Sequence, residues 1–283
     1  QYRAKVYADD PEDLTELDGW EERFMRTHHG SLEAADFQLG SFIPKGETEE
    51  VDTLDYVIAH LDTSTAGGIS GWTNKILRSV SDHSFVRPCV ELLFGADEES
   101  RLDDADPFHR AVHGALIAAR GHALNKVRDP TVIKVRPLGL PECFAQIACN
   151  CFLAQADNEW STALLEESGQ LALGADGTLL AWASMERSLE ALLSLGAAAG
   201  VNINDALSGY NKLRRRSMQD GFIRSAAGAV RLFNSFYSIP YGVFIYDSSE
   251  ATDDWDVRDR AVPVERMHVG RGICQGNSLS VLA

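Results

Sequence analysis

Apolar residues recur at 51, 54, 57, 58 and 61 of "VDTLDYVIAHL". That stripe has the period of a helix with one buried face. Three glycines in the following "STAGGISGW" break it. "TNKILRSVSD" then predicts a helix capped by Thr73, and "FVRPCVELLFGA" another with Pro88 near its start. "DPFHRAVHGALIAARGHALNKV", 106–127, predicts one long helix. β-Branched alternation in "DPTVIKVRPLGL", 129–140, bounded by a turn signal and containing Pro137, predicts a strand. Helical spacing resumes in "PECFAQIACNCFLAQ", 141–155, and in "AWASMERSLEALLSLGAAAG", 181–200. "VNIND" predicts a short strand. "GYNKLRRRSMQDGF" and "RSAAGAVRLFNSFYS" predict helices, and "YGVFIYDSS" a further strand. Before all of these, Pro11 precedes a predicted helix from about Glu12 to Met25, and "GSFIPKGETEE" reads as a loop. Several helices precede few strands, so the fold class is α+β, with a small, mostly antiparallel sheet and no internal repeat.

Composition narrows this little. The chain has 283 residues, 45% hydrophobic, enough for a substantial core and one or two domains. No apolar run reaches the roughly 18 residues of a membrane span. Charge is more informative: 42 acidic against 26 basic residues leave a formal charge of −16. Such a surface repels phosphate backbones unless bases are segregated. Lys212, Arg214, Arg215 and Arg216 do cluster, which leaves room for a local basic groove. Five cysteines, at 89, 143, 149, 151 and 274, form a poor disulfide framework and fit a reducing, intracellular compartment. The first residue is Gln1, which a removed presequence for organelle import would also leave.

Four groups of residues suggest chemistry, each with a plainer alternative. Cys143, Cys149 and Cys151 could ligate zinc, or be buried thiols on one helix. His109 and His113 have the i,i+4 spacing of a zinc pair. Arg110 stands where a zinc protease needs glutamate, so a core helix face is the other reading. "VYADD", 6–10, matches the YxDD of polymerases, yet the segment is so rich in aspartate that chance also explains it. Asp205, ending the apolar "VNIND", could hold a metal ion or cap a helix.

The order of motifs from about residue 51 onward resembles the reverse transcriptase domain of non-LTR retrotransposons. "GGISGWTNKILR", 67–78, is similar to that family's Gly-Pro-Ser-Gly-Trp-Thr stretch, and "IKVRPLGLPE", 133–142, to its Arg-Pro-Ile fingers strand. "GQLALGADGTLLAWASMERSLEALL", 169–193, resembles the segment leading a helix into the palm. "INDALSGYNKLRR" resembles the palm aspartate followed by Asn-Ala-Phe-Asn and an arginine, and "GICQGNSLSVLA" the Gln-Gly-Asp-Pro-Leu motif. The resemblance implies a fingers-like region over 51–195 and a partial palm-like region over 196–283. Residues 1–50 stand outside it as an acidic extension. It implies that Asp205 would be a catalytic metal ligand and Arg136 a contact to triphosphate or template. Gln275 and Gly276 would line the nucleotide, near Tyr210, which falls on the Phe position. In an active enzyme two Mg²⁺ ions would stabilise the entering and leaving oxygens.

Departures from the family pattern alter the expected function. Ala145 and Gln146 stand where arginines would follow Glu142, and Asn277 and Ser278 replace Asp-Pro. The chain also stops at Ala283, short of the family's Asp-Asp hairpin. The expectation is therefore a degenerate, truncated fingers-and-palm protein, kept as a structural or protein-interaction subunit among other protein subunits, with no cofactor. The alternative is a fragment of an active RNA-directed DNA polymerase, which would require Mg²⁺ and bind RNA or DNA. The aromatic "LFNSFYSIPYGVFIY", 232–246, is either a partner-binding surface or the palm's own core.

Overall fold

The computed structural model of the chain describes residues 39–94, 107–125, 127, 131, 135–155, 177–201, 210, 213–225, 229–237, 241–245, 265–270 and 272–274. The chain divides into two compact units. One comprises Gln1–Gln155 and Tyr210–Ala283; the other comprises Ala156–Gly209.

The first unit opens with a minimal antiparallel ladder, β1 (Ser41–Phe42) on β2 (Val51–Asp52), inside and just after the segment expected to be a loop. Asp52 then caps α1 (Thr53–Ala59), its carboxylate accepting from the Asp55 amide at 3.1 Å. The apolar stripe turns inward as its period predicts: Leu54, Val57, Ile58 and Leu61 are buried. α2 (Asn74–Ser79) is capped by Thr73, whose hydroxyl accepts from the Ile76 amide at 3.2 Å. α3 (Val86–Phe94) tolerates Pro88 in its first turn, where its missing N–H leaves no intrahelical bond unmade.

The expected helix over 106–127 is only half helical. α4 (Pro107–Leu116) ends as Ile117 and Ala118 donate to His113 and Ala115. β3 (Ala119–Asn125) follows directly. The physical reason is tertiary: β3 pairs antiparallel with β4 (Val135–Pro141) along its whole length and parallel with β5 (Tyr241–Ile245) over Ala119–Gly121. β5 in turn pairs antiparallel with β6 (Glu265–Val269), giving the order β4-β3-β5-β6. Ala and Leu favour helix only by tenths of a kcal/mol, which a full ladder to β4 and a three-residue ladder to β5 outweigh.

Alternation divides this sheet into two faces. Ala119, Tyr241, Val243, Met267 and Val269 are buried on the inner one. α5 (Cys143–Gln155) follows β4 and is buried nearly all round, against α1 and α3. α7 (Arg215–Ser225) packs on α8 (Ala229–Tyr237), and α8 on α3. In the second unit, α6 (Gly177–Ser194) realises the helix expected there. The fold is thus α+β, helix-rich, with one antiparallel and one mixed sheet. Among the described residues no helix is long and apolar enough to cross a membrane.

Candidate functional site

The loop "GGISGWT" folds onto the residue that begins α5. Glu142 is buried, and its carboxylate accepts from the Ser70 amide at 2.7 Å and the Ser70 hydroxyl at 2.5 Å. Its own carbonyl accepts the first helical bond, from Gln146. The carboxylate therefore sits at a helix N-terminus, where the macrodipole favours negative charge. The two glycines are required by closeness. A Cβ on Gly68 would lie 2.7 Å from Glu142 Cδ, and one on Gly67 2.7 Å from the Trp72 carbonyl oxygen. Trp72 completes the dock through an aromatic cluster with Phe85 and Phe144.

A second junction joins β4 to the start of the glycine-rich motif. The Cys274 thiol donates to the Gly139 carbonyl at 3.3 Å, and a Cβ on Gly139 would come within 2.5 Å of that sulfur. The Cys274 amide donates to Tyr237 Oη at 3.3 Å. Burial, first, and the nearby thiols push the Tyr237 phenol well above its ordinary pKa, so it stays neutral.

The third junction ties that motif to the segment after Asp205. Gly272, in the left-handed region at φ +66°, donates to the Leu213 carbonyl at 3.1 Å. The Ile273 amide donates to the Tyr210 carbonyl at 2.9 Å. Arg215 fastens both strands of the junction. It is fully buried and donates to the carbonyls of Gly272 (3.1 Å), Tyr237 (3.0 Å) and Val269 (2.8 Å). Its guanidinium also lies 5.4 Å from the Tyr237 ring centroid and 5.7 Å from that of Tyr241.

Of the five residues expected at a site, two are located only in part. Tyr210 is described and exposed, with its backbone on Ile273. Arg136 is in β4 opposite Leu124, and only that backbone register is described. Asp205, Gln275 and Gly276 lie outside the described residues, as do "VYADD" and the predicted helix at 12–25. The basic cluster at 212–216 is not the uniform surface it suggested: Arg215 turns inward, while Arg214 and Arg216 are exposed. The buried, carbonyl-binding place of Arg215 is what reading the sequence missed. Its signal was its place at the head of the stripe 215, 218, 219, 222, all buried.

The metal candidates behave as interior residues. Cys143, Cys149 and Cys151 are buried on one helix. Burial pushes the Cys143 and Cys151 thiols up to about 12, so neither offers a thiolate at neutral pH. His113 is buried against the Ser235 hydroxyl at 2.8 Å, and burial lowers its pKa to about 4. The side chain of His109 lies outside the described set. Among the described residues no group of three or more His, Cys, Asp or Glu could hold a metal ion. Of the aromatic run, Phe233, Phe236, Tyr237 and Tyr241 are buried in the core and Phe244 is half-buried. No known family model matches this chain, and no curated protein matches it either.

Proposed function

We propose that this chain is a degenerate reverse-transcriptase-like fingers-and-palm protein that keeps the interlocking of its motifs without polymerase chemistry. It serves as a structural or protein-binding subunit of a larger assembly. The observation that carries this reading is the chain of junctions just described. The glycine loop at 67–73 rests on Glu142, Gly139 of the Arg-Pro-Leu strand rests on Cys274, and Gly272 and Ile273 rest on Leu213 and Tyr210. Parts of four separately recognised segments are thus joined in series by hydrogen bonds.

The argument for lost chemistry is internal to those segments. α5 carries no charged side chain, and Ala145 is wholly buried where the family would place an arginine. A helix of that kind has no cation to offer a template phosphate. Asn277 and Ser278 replace the Asp-Pro of the glycine-rich motif. The active reading keeps one point in its favour, the exposed Tyr210 beside Ile273. In that reading Asp205 would hold Mg²⁺ and the partners would be RNA and DNA.

Primer extension separates the two. The chain, given an RNA template, a primer, all four deoxynucleotides and Mg²⁺ or Mn²⁺, is expected to add no nucleotide. Templated incorporation that disappears in Asp205→Ala would contradict the proposal.

A further inference from the structure

We draw no further inference here: the strongest candidate, the apolar surface patch that α6 presents through exposed Trp182, Leu192 and Leu193, carries nothing, because nothing in the structure shows what covers it.

Discussion

The Cys274 thiol lies 3.3 Å from the Gly139 carbonyl oxygen, although 135 residues separate them along the chain. This contact joins the edge strand β4 to the opening of the glycine-rich motif, and it leaves no room for a side chain at 139. Gly139→Ala places a methyl group 2.5 Å from the sulfur. Overpacking of this kind is expected to destabilise the chain by about 1–3 kcal/mol in urea unfolding. Cys274→Ala should recover much of that loss in the double variant, with a coupling energy well above the additive expectation. Additive effects would mean that the junction is not packed as described.

Arg215 is buried and donates to three carbonyls from two segments, Tyr237 at the end of α8 and Val269 and Gly272 at and after the end of β6. Arg215→Met leaves those carbonyls to find other partners in a buried site. The expected destabilisation is about 3–5 kcal/mol by chemical denaturation. Arg216→Met, one residue on and exposed, is expected to stay within about 0.5 kcal/mol of the parent chain.

His113 makes stability pH-dependent with a definite sign. Its folded pKa is about 4, below the ordinary value of 6.5, because burial disfavours the imidazolium. The unfolded chain therefore takes up the proton first, and this residue's contribution falls as pH drops from about 6.5 to about 4. The loss is of order 3 kcal/mol across that window. Unfolding free energies measured from pH 7 down to pH 4 should show this component, and His113→Gln should remove it. An unchanged pH slope in that variant would contradict the burial argument.

Glu142 holds the glycine loop through both oxygens. Glu142→Gln keeps the shape but removes the charge at the start of α5 and turns one acceptor into a donor facing Ser70. A loss of about 1–3 kcal/mol is expected, together with faster amide exchange across residues 67–72. Protection there that matches the parent chain would separate the loop from the carboxylate.

Much of this architecture was legible in the chain, and the failures have a common cause. The stripe at 54, 57, 58 and 61 and the Thr73 cap are local signals, and each helix formed where its signal lay; the strand expected over 129–140 is described only as Val135–Pro141, while 132–134 of its β-branched run lie outside the described residues. Residues 119–125 were read as helix because "ARGHALN" has no strand signature of its own. Its extended state comes from β4 and β5, which approach from distant parts of the sequence. Arg215 was hidden for the same reason: in "KLRRR" it looks like its neighbours, and only the folded chain brings three carbonyls to it. The glycines of "STAGGISGW" were read as breakers, whereas Gly68 acts through its close approach to Glu142, 74 positions away. Of the expected site, the backbone around Tyr210 and Ile273 is joined, while Asp205, Gln275 and Gly276 lie outside the described residues.

The central claim is that the segment at 210–213 and the start of the glycine-rich motif are joined backbone to backbone, Gly272 to Leu213 and Ile273 to Tyr210. Residue-by-residue amide hydrogen exchange tests it directly. The account predicts that the Gly272 and Ile273 amides are protected in the folded chain, and that the protection is lost in urea. Exchange of both amides at the rate of an unstructured peptide would contradict it.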